Sequence, residues 1–118
     1  MPLSVTEIEG IAIVEGDPKS RIIERSQDIA RVLEVCLSNR SRDVVLYPAN
    51  LPDTFFDLSS GAAGELLQKA QSFGLRIAIV TDPARFSTHF EKVLNRTMAV
   101  FPSRDEAVNW LTHDERRA

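Results

Sequence analysis

DVVLYP at residues 43–48 and LRIAIV at residues 75–80 are the two stretches on which the fold turns. Both are short and rich in β-branched and aliphatic side chains, and in the first the apolar residues run on, whereas a strand with one wet face would alternate. Both therefore read as strands, the first of them covered on both faces. Pro48 stops the first, and between the two lies a segment with helical spacing from about Ser59 to Phe73, in which Ala63, Leu66, Leu67, Ala70 and Phe73 fall on one side and Gly74 stands where a C-terminal cap belongs. A strand, a helix and a second strand of this kind form a right-handed crossover, which makes the two strands parallel.

Working outward, the same alternation continues. Towards the N-terminus, Ile29, Val32, Leu33, Cys36 and Leu37 line one face of a helix that starts at Ser26 or Gln27 and ends at Asn39. Before it, Leu3 to Ile8 and Ile11 to Glu15 read as a hairpin turned by Glu9-Gly10, and Gly16 to Arg25, with Pro18 and an isolated Ile22-Ile23, as an irregular connection. Towards the C-terminus, Ala84 to Asn95 reads as a third helix and Met98 to Phe101 as a last strand. Ser103-Arg-Asp-Glu106 has the form of a capping box that opens a fourth helix, with Ala107, Trp110 and Leu111 turned inward. The expectation is one α/β domain over residues 1–118, with a mainly parallel sheet of four to five strands, an N-terminal β-hairpin and four helices.

Composition narrows the function classes. A net charge of −3 in 118 residues gives no concentrated positive surface for nucleic acid or an anionic membrane. No apolar run approaches the roughly 20 residues of a membrane span, and MPLSVTEIEG lacks the form of a signal peptide. Cys36 is the single cysteine, which agrees with a reducing cytoplasm. It lies on the apolar stripe of its helix and reads as a small hydrophobe. His89 and His113 have no neighbouring Cys or paired His, so neither belongs to a metal-ligand set, and no cofactor motif is present.

In open α/β sheets, binding groups gather where strands end and helices begin. That edge carries Glu15, Gly16 and Asp17, then Tyr47 to Asn50, Ser59 and Ser60, Thr81 and Asp82, and Ser103. Its acids invite a metal or phosphoryl-receiver reading, in which clustered carboxylates hold a magnesium ion and one accepts a phosphoryl group, but Phe101-Pro102-Ser103 offers no lysine after the last strand. An enzyme would need Asp17, Asp57 or Asp82 to converge with Ser60. The distinctive feature of this edge is FFDLSSGAAGELLQK, residues 55–69, where Ser60 to Gly64 carry almost no side-chain volume. As structure, a serine caps the helix while Gly61 and Gly64 let it pack closely. As function, Ser60, flanked by Ser59 and Gly61, is a phosphoacceptor or ligand contact, and Phe55, Phe56, Asp57, Gly64 and Asp82 form a partner-binding surface around it. No catalytic set emerges. The expectation is a protein partner met by a non-enzymatic module, with an anion- or small-molecule-binding module on Ser59-Ser60-Gly61 as the alternative and a homodimer left open.

The element order, with DLSSGAAGELL, GLRIAIV and FPSRDEAVNWL, resembles the STAS domain of anti-sigma factor antagonists. By that resemblance the phosphorylatable serine falls on Ser60 and the preceding acid near Asp57, with Leu58 inserted between Asp57 and Ser59. The string FFDL followed by Gly61, Ala63, Gly64, Glu65, Leu67, Gln68 and Lys69, and then an RIAIV strand with Asp82 close behind it, is similar to a family of small bacterial proteins, domain of unknown function 4180. That likeness implies a bacterial cytoplasmic setting and brings no activity, catalytic residue or cofactor with it.

Overall fold

The computed structural model of the protein describes residues 2–57, 60–82 and 97–113. They form a mixed α/β domain around a five-stranded sheet in the order β1-β2-β3-β4-β5. The strands are β1 (Leu3–Ile8), β2 (Ile11–Gly16), β3 (Asp43–Leu46), β4 (Arg76–Val80) and β5 (Met98–Phe101). β1 runs antiparallel to β2, and the next three pairs are parallel, with Val44 beside Val14 and Ile77. The hairpin closes through two residues, Glu9 at φ +52° and Gly10 at φ +79°. Positive φ at both positions matches the turn to the right-handed twist of the strands.

Three helices are described: α1 (Ile29–Ser38), α2 (Ala62–Phe73) and α3 (Arg104–His113). The helix expected at Ala84 to Asn95, with His89, lies outside the described residues. A 3-10 turn at Ser26–Asp28 occupies what was read as the first turn of α1. There the carboxylate of Asp28 accepts the amides of Glu24 at 3.0 Å and Arg25 at 3.1 Å, which closes the turn before the helix. α2 likewise starts later than its expected Ser59, at Ala62. It ends on Gly74 at φ +72°, whose amide reaches the carbonyl of Gln71 while Leu75 N–H reaches Ala70.

The period of two along each strand divides the core between the faces. Val14, Val44, Leu46, Ile77, Ile79 and Met98 meet α1 and α2 on one side. Ile13, Val45 and Ala78 meet Ala107 and Leu111 of α3 on the other. This explains why β3 and β4 are apolar without alternation. Ile22 and Ile23, which look isolated in sequence, are 3% and 1% exposed and belong to the first face. They are drawn in because both amides are held by the carbonyl of Asn50.

Two polar clusters clamp α3 across its face of the sheet. At its start, the guanidinium of Arg104 grips Glu15 through Nε at 2.9 Å and a terminal nitrogen at 3.1 Å. Near its end, Arg76 lies 4.1 Å from the ring of Trp110 and 4.0 Å from Asp43, its register partner on β3. Trp110 in turn rests on Phe101, with ring centroids 5.3 Å apart.

A candidate interaction edge

The carboxyl ends of β2 and β3 and the start of α3 bring Glu15, Tyr47 and Arg104 together. Tyr47 donates its hydroxyl to Glu15 Oε2, and Arg104 holds the same carboxylate from the other side. Burial, and then the hydrogen-bonded charge of Glu15, push the Tyr47 phenol up to about 12. The bond from Glu15 holds Arg104 above its already high value. The side chain of Glu15 is 14% exposed. The trio locks α3 to the sheet, and a phenol this weakly acidic is a poor proton carrier near neutrality.

Beside it, Asn50 organises the loops. It is fully buried, its Oδ1 accepts Tyr47 N–H at 2.8 Å, and its Nδ2 donates to the carbonyls of Asp17 and Ser20, each at 2.7 Å. Gly16 makes room for it: a Cβ at that position would come within 2.8 Å of Asn50 Cγ. Asp17 is occupied in the same structure, accepting Lys19 N–H at 3.1 Å and Ser20 Oγ–H at 2.8 Å, and these bonds lower its pKa. Sequence reasoning placed Glu15, Tyr47, Asn50 and Asp17 on this edge but assigned them no joint role. The bulk of Asn50 over Gly16 was the one signal available, and it becomes readable only when the two loops are seen side by side.

The small-residue turn has a different basis from the one expected. Ser60 Oγ lies 2.8 Å from the carbonyls of both Thr54 and Asp57 and accepts Ala62 N–H at 3.2 Å. The hydroxyl thus points back into its own turn as a cap, although Ser60 remains exposed. Ser60 meets Asp57 through the Asp57 backbone carbonyl. Gly61 sits at φ +78° in the left-handed region, which is why a glycine stands there. Neither Gly61 nor Gly64 serves close packing, because a Cβ at either would have nothing within 4 Å. Both lie on the surface with Ser60, whereas Ala63 between them is 1% exposed and belongs to the core, so the small residues of 60–64 are divided between outside and inside.

Of the aromatic pair, Phe55 is fully buried and Phe56 half-buried, their rings edge-to-face with centroids 5.2 Å apart. Burial removes Phe55 from the surface and makes it a core residue, which corrects its expected place among the partner contacts. Asp57 and Asp82 are exposed, and Thr81, between β4 and Asp82, is buried with its amide on the carbonyl of Phe101. Ser59 and Leu58 lie outside the described residues. At the start of α3, Ser103 Oγ accepts Glu106 N–H at 3.3 Å.

Among the described residues, no group of three His, Cys, Asp or Glu could hold a metal ion, and no buried side-chain nitrogen or oxygen lacks a partner. No helix among them is long and apolar enough to cross a membrane. Cys36 is buried, and burial pushes its thiol up to about 11. One depression of about 210 Å³ lies over Arg21, Ile22, Glu24, Asp28 and Arg31. Its charges are mixed, and Arg21 is bound to the carbonyl of Leu51 and, at 2.6 Å, to Asp53.

The fold and this edge together define a small α/β domain whose polar interior is committed to holding loops and helices in place. The chain belongs to the family described as Domain of unknown function (DUF4180), whose model matches residues 8–111. No curated protein and no solved structure matches it.

Proposed function

We propose that the protein is a non-enzymatic regulatory or protein-interaction domain that meets a protein partner at the edge formed by Phe56, Asp57, Ser60, Gly61, Gly64 and Asp82. The observation that carries this reading is the contrast within one edge. Glu15, Tyr47, Asn50 and Asp17 are spent on internal bonds, whereas Ser60, Gly61 and Gly64 are exposed, nearly free of side-chain bulk, and preceded in the chain by the half-buried Phe56. Small exposed residues with Phe56 and Asp57 just before them suit a protein partner, whose anchors tend to be aromatic. The resemblance of the sequence to the STAS domain supports the same class of role, in which Ser60 would be the regulated serine. A phosphate there would be favoured by the helix dipole of α2 and opposed by the nearby acids. To accept one, the hydroxyl must leave the carbonyls of Thr54 and Asp57.

The alternative, an anion seated on the first amides of α2, has less support, because Ser60 Oγ already takes the amide of Ala62. The test is affinity capture from the native host with the wild-type chain, Phe56→Ala and Ser60→Asp. The expected result is a specific protein lost with either variant. A partner indifferent to both substitutions overturns the reading. A thermal shift with inorganic phosphate, abolished by Ser60→Asp, would favour the anion module instead.

A further inference from the structure

We infer that β1 is a self-pairing edge, through which two copies of the chain join their sheets into one continuous antiparallel ribbon. The inference concerns the lateral edge of the sheet and goes beyond the function proposed for the ends of its strands. The hairpin turn decides which backbone groups of β1 are free. With Ile8 opposite Ile11 across a two-residue loop, the amides and carbonyls of Ile8, Thr6 and Ser4 turn towards β2. Those of Leu3, Val5 and Glu7 then turn outward, and among the described residues nothing bonds to them. An uncovered edge of this kind is a template for another strand unless charge, proline or a bulge blocks it. Leu3 to Ile8 contains no proline, lysine or bulge, and Glu7 is its one charge among the outward residues.

The sequence of the edge favours a second copy as the occupant. Only outward residues can face outward residues. The two-fold arrangement that uses all three of them sets Val5 against Val5 and Leu3 against Glu7, with Ser4 facing Thr6 between. Two hydrogen bonds form at each outward pair. The same register keeps the two Glu7 carboxylates apart, whereas sliding the strands until they are opposite would add a like-charge cost. Val5 is 40% exposed, and beside it a groove of about 370 Å³ runs between β1 and α1, floored by Leu3, Val5 and Val35 and walled by Glu34, Ser38 and Asn39. Pairing about Val5 lays the second valine alongside this groove and closes it from the open side.

Sedimentation velocity of the full chain over concentrations from about 5 to about 500 micromolar tests the inference, since dimerisation follows mass action. The expected result is a shift from 13.2 kDa to twice that mass. Val5→Pro removes an outward amide without touching the bonds to β2, a change that edge strands tolerate. Val5→Lys places a charge on the edge instead, so the test survives if the proline variant fails to fold. Either variant, folded by circular dichroism, should remain a monomer throughout. A wild-type chain that is monomeric at every concentration overturns the inference. So does a dimer that survives both substitutions, or one lost with Leu37→Ser on α1 and kept with Val5→Lys.

Discussion

Tyr47 is the only tyrosine in the chain, so its ionisation can be followed alone by absorbance near 295 nm. Its phenol is favoured neutral in the fold, first by burial and then by Glu15. The stability this contributes is complete below the unfolded value of 10.0 and is lost as pH rises through about 12. Cys36 behaves alike, from 9.0 in the unfolded chain to about 11 in the fold. Alkaline destabilisation is therefore expected from about pH 9 to pH 12, with no phenolate signal at pH 10 before unfolding. Glu15→Gln should bring the Tyr47 midpoint down; an unmoved midpoint would show that the Glu15 contact does not govern it. The two glycines of the small-residue turn separate just as clearly. Gly64 is exposed in the first turn of α2 with open space around it, so Gly64→Ala should stabilise the protein by about 0.5–1 kcal/mol. Gly61→Ala places a side chain at φ +78° and should cost about 1 kcal/mol. Chemical denaturation midpoints of the two variants should move in opposite directions.

At the scale of elements, most of the repeating structure was legible and most of the junctions were not. The strands at Asp43–Leu46 and Arg76–Val80 and the buried Ile29, Val32 and Cys36 of α1 follow from local pattern, whereas Leu37, read on the same stripe, is 71% exposed. The start of α2 was read three residues early, because Ser60 satisfies a turn that runs back to Thr54 and Asp57 before the helix begins. Ile22 and Ile23 show no periodicity and become core residues through their bonds to Asn50, some 30 residues away in the chain. Asn50 is accordingly the residue on which the loop arrangement depends. Asn50→Ala would strand the carbonyls of Asp17 and Ser20 and the amide of Tyr47, at a cost of about 2–4 kcal/mol. Equilibrium unfolding in urea measures this. A loss below about 0.5 kcal/mol would mean that water takes over these bonds and that the loops do not rely on Asn50.

For the whole molecule, the division of the core between two faces places unusual weight on α3. Among the described residues, α3 is the helix packed over Ile13, Val45 and Ala78, through Ala107 and the fully buried Leu111. Leu111→Ala should cost about 2–5 kcal/mol. It should also raise binding of a hydrophobic dye below the unfolding transition, as that face of the sheet opens. A drop in stability without dye binding would mean that α3 stays seated by its clamps at Arg104 and Arg76. Trp110, the only tryptophan, reports on the same event, since loss of Arg76 and Phe101 from around its ring should change its fluorescence.

The sequence by itself determined the five strands and, apart from their first turns, the three described helices, because hydrophobic period and turn chemistry are written within a few residues of each other. It also located the bare turn at Ser60 to Gly64. Only the tertiary structure decided which residues of that turn and its neighbourhood are buried and which are exposed. Phe55 and Phe56 are adjacent in sequence and chemically identical, yet one is core and the other is half at the surface. Gly16 is a glycine because of Asn50, and Gly61 because of its own backbone angle, a distinction that no local pattern carries. The physical reason is the same in each case: burial, close approach and hydrogen-bond partnership are properties of pairs of distant residues, and they come into being only when the sheet brings those residues side by side.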